Sequence, residues 1–261
     1  MTLKKTFDYS LTVLLAFTLI MMAYLISGLM KPFTGDAAII SAFGTDTFSS
    51  VLVSVFSIMI TLGLLLVFGT LLAYKMHKKK GAIYKVAHGL IMLPLLLPPT
   101  VAGLVLLQGY GSNSLISKLV FGGDLNVAFQ FGGIVLTQVF ITMPYYYQMT
   151  VNGFNQIDDA YIEAAKVAGA DSFVLLKDIM IPMCKNNIMA GTFLCGLRGL
   201  SEFGATIMFA GNMVGKTQTM TTRIYQLYQM DVEAAFLLAG FQLLVFTLPF
   251  TLFIQKHQEQ I

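Results

Sequence analysis

The chain carries little charge for its length. Only 11% of its 261 residues are charged, whereas 56% are hydrophobic and the mean hydropathy is +0.76. A soluble domain of this size needs charge on about a quarter of its residues to cover its surface. The composition therefore excludes an ordinary soluble domain and indicates an integral membrane protein.

Cysteine and histidine are also scarce. Cys184 and Cys195 are too few for a disulfide framework and lack the spacing of metal ligands, and the three histidines are scattered. The sequence contains no Ser/His/Asp spacing, no paired carboxylates in a plausible pocket and no histidine–cysteine cluster. We therefore expect no metal site, no cofactor and no enzymatic activity in this chain.

Long hydrophobic runs are abundant. Crossing a bilayer takes about 20 mostly apolar residues, and six stretches meet this need: 11–29, 51–74, 86–107, 129–151, 188–210 and 234–254. The first exceeds the hydrophobic region of a signal peptide, about 7–15 residues, and no clear cleavage site follows it. These runs predict an all-α membrane protein, one domain over residues 1–261 with six transmembrane helices.

Basic residues predict the orientation in the membrane. With a cytoplasmic N-terminus, eleven lysines lie inside and four basic residues outside, as the positive-inside rule requires. The chain is therefore expected in the plasma membrane, with both termini and the loop 152–187 in the cytoplasm. The dense run Lys75–Lys85 is interpreted as a topology signal on anionic headgroups rather than as a nucleic-acid site.

The loop 152–187 is polar and favours helix. Asp158 or Asp159 can cap a first helix, and Glu163 near its first turn suits the positive end of the helix dipole. Gly169 is a natural stop for this helix. Its alanines are good helix formers that leave a small face, which another protein can approach closely.

A second helix is expected in the same loop. Asp171 or Ser172 can cap it, it runs through Phe173–Ile179, and Pro182 is expected to end it.

The loop also contains a spaced set of residues that resembles the EAA loop of bacterial and archaeal ABC importer permeases: Glu163, Ala164, Ala165, Gly169, Ile179, Ile181 and Pro182. Ile181 stands where leucine is usual in that family. The resemblance implies the type I permease fold, in which this loop carries a coupling helix that docks on an ATPase subunit.

The same resemblance implies the partners. ATP and magnesium bind on a pair of partner ATPase subunits, a substrate-binding protein delivers cargo outside, and two copies of the chain form one pathway. A heterodimer with a related permease remains open.

Two further segments are similar to those of molybdate permeases. Leu93–Gly103 is similar to their third-helix signature, and Glu202–Tyr225 to their fifth-helix and outer-loop signature. Sulfate and tungstate permeases share much of both, and Thr222 stands close to where proline is common in molybdate permeases. The resemblance implies import of a tetrahedral oxyanion, with molybdate favoured and sulfate or tungstate as alternatives. An ATPase-independent channel or a membrane enzyme is the alternative of a different class.

Prolines interrupt the third predicted span. Each removes a backbone donor and bends a helix, and the freed carbonyls must find partners in protein or in a wet cavity. Pro98, Pro99 and Thr100 are therefore either a packing kink or part of the translocation pathway.

The fifth predicted span contains a charged pair. Arg198 and Glu202 are four residues apart and share a helix face, with Gly204 close by. The pair either orients the span or lines a route for a divalent anion, since charges at membrane depth face a partner or a cavity.

The loop after the fifth span loosely fits a phosphate-binding pattern from Ala210 to Thr217, but no strand delivers it and the charge bias places it outside. Lys216 and Arg223 are candidate contacts with a substrate-binding protein. A merely solvated loop is the alternative.

Overall fold

A computed structural model describes residue 20, residues 36–111, residue 114 and residues 127–258. This part of the chain consists of helices and their connections, without a strand. It divides into two compact units, Met1–Thr45 with Ile224–Ile261, and Asp46–Arg223. The first predicted span, 11–29, lies outside the described residues except for residue 20.

The α-helices of the described residues are, in chain order, α1 Asp36–Ala42, α2 Thr45–Leu64, α3 Thr70–Met76, α4 Ala82–Met92, α5 Pro99–Tyr110, α6 Phe131–Gln156, α7 Asp159–Val167, α8 Ser172–Val174, α9 Ile181–Met183, α10 Lys185–Leu200, α11 Gly204–Phe209, α12 Met220–Met230 and α13 Val232–Gln258. Three other helical turns connect some of them. A π-helical turn, Leu65–Gly69, joins α2 to α3, a 3-10 turn, Leu93–Leu96, follows α4, and a π-helical turn, Leu175–Met180, joins α8 to α9.

One segment of the described residues, Ala38–Met76, is by itself long and apolar enough to cross a membrane. The second predicted span, 51–74, lies within it. Its π-helical turn ends at Gly69, where an added Cβ would lie 2.6 Å from Cδ1 of Tyr146. Glycine therefore lets the helix approach α6 closely at this turn, and Thr70 Oγ1 lies 2.7 Å from the Tyr146 hydroxyl.

The third predicted span is broken. The segments Ala82–Leu96 and Pro99–Tyr110 are bent by 120° relative to each other and are apolar enough to cross a membrane only when taken together. Leu97 has an extended backbone, as expected for a residue before proline. Pro99 starts α5, where its missing N–H leaves no helical bond unmade. The prolines therefore divide the span into two arms.

The fourth predicted span is one long helix. α6 covers most of 129–151 but continues to Gln156. Its buried side chains include Tyr146 and Phe154, which form a core with Leu65 and Met180. Burial of an aromatic side chain of this size contributes about 1.5–3 kcal/mol to the free energy of unfolding. The core therefore joins α6 to the π-helical turn Leu65–Gly69 and to the π-helical turn Leu175–Met180.

The fifth predicted span, 188–210, is not a continuous helix. α10 ends at Leu200, three residues connect it to α11, and the connection contains Glu202. The glycine-rich sequence explains the break, because α11 can begin at Gly204 directly against Pro99 and Thr100.

The unit that contains the chain ends includes α1, most of α12 and α13. Phe43 and Phe241 meet edge to face there, with ring centroids 5.6 Å apart. Small buried residues, Ala38 and Ala42 on one side and Ala234 and Ala235 on the other, allow close packing within this unit. The sixth predicted span, 234–254, lies within α13.

Candidate coupling segment, pathway and outer loop

Residues 158–183, termed the coupling segment below, begin with a capped helix. The side chain of Asp158 accepts a hydrogen bond from the backbone N–H of Ala160 at 3.0 Å. This bond satisfies one of the backbone donors that every helix start leaves without an intrahelical partner. The predicted cap is confirmed, and Asp158 rather than Asp159 supplies it.

The end of α7 is equally well defined. Gly169 has a φ of +89°, which side chains rarely adopt. Its N–H donates to the carbonyl of Lys166 at 3.0 Å, and the N–H of Ala170 donates to the carbonyl of Ala165 at 2.9 Å. These two bonds form a Schellman motif, which satisfies the last carbonyls of the helix. The predicted stop at Gly169 is confirmed.

The second helix of the coupling segment starts as predicted but ends later. Asp171 accepts hydrogen bonds from the N–H groups of Phe173 at 2.9 Å and Val174 at 2.8 Å. The prediction that Pro182 ends this helix is wrong, because helical backbone continues through Met183. Pro182 lies in the first turn of α9, where a proline is tolerated.

One side of the coupling segment is anchored and the other is exposed. Ile162, Leu175, Leu176 and Met180 are buried in the core around α6, and Ala165 and Ile179 are partly buried against it. The exposed side carries Glu163, Ala164, Gly169 and Pro182.

Large apolar side chains accompany these exposed residues. Tyr161 is 59% exposed, Val167 90% and Phe173 68%. Apolar side chains that are exposed in the single chain are available to contact another protein.

Lys78, which the sequence analysis did not single out, holds the start of α7. Its backbone N–H donates to Asn155 Oδ1 at 2.9 Å, and its Nζ donates to the carbonyl of Ile157 at 2.8 Å and to the carboxylate of Asp159. The hydrogen bond and the charge of Lys78 lower the pKa of Asp159. Lys78 has a φ of +53°, a strained backbone for a residue with a side chain.

The charged pair of the fifth predicted span is formed, but its geometry differs from a pair on one helix face. Nη1 of Arg198 lies 2.8 Å from Oε2 of Glu202. Glu202 lies beyond the end of α10, and its Oε1 accepts a hydrogen bond from the N–H of Ala205 at 2.9 Å. Its side chain is 1% exposed, against 32% for Arg198. Glu202 therefore both pairs with Arg198 and caps α11.

The structure brings three of the predicted pathway residues together. An added Cβ at Gly204 would lie 2.9 Å from Cβ of Pro99 and 3.2 Å from the backbone N of Thr100. The start of α5 thus packs directly on the start of α11, next to the residue that pairs with Arg198. Gly204 is buried at this contact, whereas Pro98, Pro99 and Thr100 are exposed in the single chain. The side of these three residues that faces away from Gly204 is therefore open to solvent or to another subunit.

The two predicted contacts with a substrate-binding protein differ in exposure. Lys216 is exposed, whereas Arg223 is 9% exposed and its Nε donates to Thr47 Oγ1 at 3.3 Å. Its Nη1 also lies 3.9 Å from the carboxylate of Asp46. The guanidinium of Arg223 is therefore directed into the chain in this structure, and its contact with a substrate-binding protein stays a prediction.

The loop does not resemble a phosphate-binding loop. Thr217 is buried, and its hydroxyl accepts a hydrogen bond from the N–H of Met213 at 3.0 Å. No strand precedes it in the described part of the chain. The hydroxyl thus closes a local turn.

Residues 65–260 match the model of a family described as the inner membrane component of binding-protein-dependent transport systems. The chain belongs to this family. The permease is 28% identical to a probable transport system permease protein, NifC of Clostridium pasteurianum, over 92% of its own length and 84% of the relative's. The resemblance to ABC importer permeases of the molybdate and sulfate group is confirmed.

Other relatives of the permease are named for two oxyanion-forming elements. It is 38% identical to a putative molybdenum transport system permease protein, YvgM of Bacillus subtilis, over 51% of its length and 60% of the relative's. It is 30% identical to a sulfate transport system permease protein, CysW of Synechococcus elongatus, over 69% and 65% respectively. The matched region thus spans less than two thirds of these two proteins.

A solved structure supports the fold. The permease superposes with a TM-score of 0.71 on a chain of a bacterial alginate ABC transporter, solved in complex with an alginate-bound periplasmic protein, over 92% of each chain. The sequence identity is 15%, so the likeness concerns the fold alone.

Proposed function

We propose that this permease is the membrane-spanning subunit of an ATP-driven importer for a tetrahedral oxyanion, with molybdate as the cargo. The observation that carries the proposal is the coupling segment. It presents Glu163, Ala164 and the exposed apolar side chains Tyr161 and Val167 on a helix whose two ends are fixed by Asp158 and Gly169.

The coupling segment is suited to transmit movement from an ATPase subunit. Its exposed side is available to a partner subunit. Its other side is anchored through Ile162 and Met180 in the core around α6. Lys78 adds a second link, because it joins the turn after α3 to Asp159. Closure of a docked ATPase pair would thus displace α7 and α6 together and shift the population between inward-open and outward-open states.

The pathway is assigned to the contact between α5 and α11. Arg198 retains about a third of its exposure while paired with Glu202, so it can attract an anion while its partner keeps it in place. Two copies of the chain form the pathway, and Lys216 contacts a substrate-binding protein on the outer side. ATP and magnesium are held by the partner ATPase.

Sulfate and tungstate remain alternative cargoes, because the relatives include proteins named for sulfate as well as for molybdenum. The three anions share a tetrahedral arrangement of oxygens and a double negative charge. Size and hydration distinguish them.

Reconstitution in proteoliposomes tests the proposal. The permease, its ATPase and its binding protein are combined, and uptake of labelled molybdate, tungstate and sulfate is measured with and without ATP. We expect ATP-dependent molybdate uptake that exceeds sulfate uptake. Uptake that proceeds without ATPase would support the channel alternative and contradict the proposal.

A charge reversal tests the coupling segment in the same system. Glu163→Arg is expected to abolish ATPase co-purification and uptake, because Glu163 is exposed on the proposed docking surface. Glu233→Arg is the control, since it makes the same change at an exposed carboxylate at the start of α13. Equal retention of the ATPase by both variants would contradict the docking role.

A further inference from the structure

A cleft of about 750 Å³ lies beside the start of α7 within the unit 46–223. It is bounded by the turn after α3, the first half of α4 and the last turns of α6. Five of its thirteen lining residues are basic: Lys78, Lys79, Lys80, Lys85 and His88. It is termed the lysine cleft below.

The charge of the lysine cleft is not balanced by acidic residues. Its lining contains four lysines but a single carboxylate, Asp159. This carboxylate already pairs with Lys78. Among the residues that the structure describes, Lys79, Lys80 and Lys85 form no ion pair and are exposed. With neutral histidine the lining has a net charge of +3, which attracts anions into a concave site.

Neutral polar groups complete the lining. Gln148 and Asn152 lie on the wall that α6 provides and are joined by a hydrogen bond of 3.0 Å. On the same wall the Tyr147 hydroxyl lies 3.3 Å from Nδ1 of His88. Amide and hydroxyl donors beside lysine ammonium groups are the chemistry that binds phosphate-like oxygens.

A topology signal requires positive charge on one side of the membrane but not a concave site with polar walls. The turn Lys78–Gly81 places successive lysines at one rim, and Lys85, one turn into α4, contributes from another wall. Lys78 holds that rim in place through Asn155 and Asp159. The lysines therefore surround a volume instead of spreading over a surface.

We propose that the lysine cleft binds a phosphate-like tetrahedral oxyanion. The anion can be a free inorganic oxyanion or the phosphate of an anionic lipid headgroup, because both present the same oxygens to lysine. The inference is independent of the cargo and of the ATPase, since it concerns equilibrium binding to the permease alone.

The test uses the purified full-length permease in nanodiscs of neutral phosphatidylcholine. One arm measures saturable binding of labelled orthophosphate and molybdate. The other measures retention of added phosphatidylglycerol by native mass spectrometry. The variant K79Q/K80Q/K85Q removes the unpaired cleft charges. The control K75Q/K177Q/K185Q removes as many charges from exposed lysines outside the lining.

We expect the cleft variant, and not the control, to lose affinity at least about ten-fold for one of the two sources. Loss in the first arm identifies a free anion, and loss in the second identifies a headgroup. Absence of saturable binding in both arms, or equal losses in cleft variant and control, would overturn the proposal. If the triple variant does not fold, the single variants K80Q and K85Q are measured in the same two arms. Each is expected to lose less affinity than the triple variant but more than the control, and losses equal to that of the control would overturn the proposal.

Discussion

The coupling segment and the contact between α5 and α11 are stabilised in different ways. In the coupling segment the decisive hydrogen bonds join neighbours in sequence, such as Asp171 with Phe173 and Val174. At the other contact, Gly103 of α5 faces the backbone of Ala205, and an added Cβ would lie 2.7 Å from its carbonyl oxygen. The first region is defined by local chemistry and the second by the fit of two distant segments.

This difference matches the roles proposed for the two regions. A segment stabilised by its own caps can keep its shape while its exposed side binds a partner. A contact without room for one methyl group transmits any displacement of one helix to the other, because packed interiors are nearly incompressible. Variants should therefore affect the whole protein at the second region and only the local backbone at the first.

The largest effect is expected from Glu202→Ala. The change leaves Arg198 without its partner and removes the acceptor of the Ala205 N–H. Breaking a buried pair in this way lowers the free energy of unfolding by about 3 kcal/mol, which unfolding in mixed detergent micelles can measure. Glu233→Ala, at an exposed carboxylate, is the control and should change stability little. A Glu202→Ala protein as stable as the control would show that the pair contributes nothing to the contact.

A smaller global effect is expected from Gly103→Ala. The new methyl group would approach Ala205 O and Met208 Cβ to 2.7 Å, so the helices must separate, at a cost of about 1–3 kcal/mol. Gly109→Ala in the same helix is the matched control, because an added Cβ there meets nothing within 4 Å. Alanine at that position should be neutral or stabilising by up to about 1 kcal/mol. The same unfolding assay compares them, and equal stabilities would contradict the tight contact.

The smallest effect is expected from Asp171→Ala. Loss of this cap costs about 1 kcal/mol and should be confined to the coupling segment. Hydrogen exchange should therefore accelerate at the Phe173 and Val174 amides, with little change at α5. Asp178→Ala removes a carboxylate from the same segment without removing a cap. Uniform acceleration across the protein would contradict the local character of this region.

The caps were predictable because their partners lie within five residues. Asp158, Gly169 and Asp171 act as their residue types do in many helices, whatever the rest of the fold. The pairing of Arg198 with Glu202 was predictable from spacing, but the break between them was not. That break depends on the close approach of Gly204 to Pro99 and Thr100, which are about a hundred residues away in sequence.

Burial of Arg223 and the position of Lys78 were also beyond prediction. Arg223 contacts Thr47, and Lys78 contacts Asn155 and Asp159. A charge in the sequence carries no information about such distant partners. The run of lysines around Gly81 predicts a topology signal, but it gives no indication that these lysines surround a cleft.

Composition and local order alone determined the class of this protein, its hydrophobic segments and the two ends of α7. These properties depend on solvent transfer and on hydrogen bonds between near neighbours, which every chain of this sequence experiences. The tertiary structure decided which charges are paired, where the third and fifth predicted spans break, and which lysines surround a cleft. Those outcomes depend on distances between residues that only folding brings together.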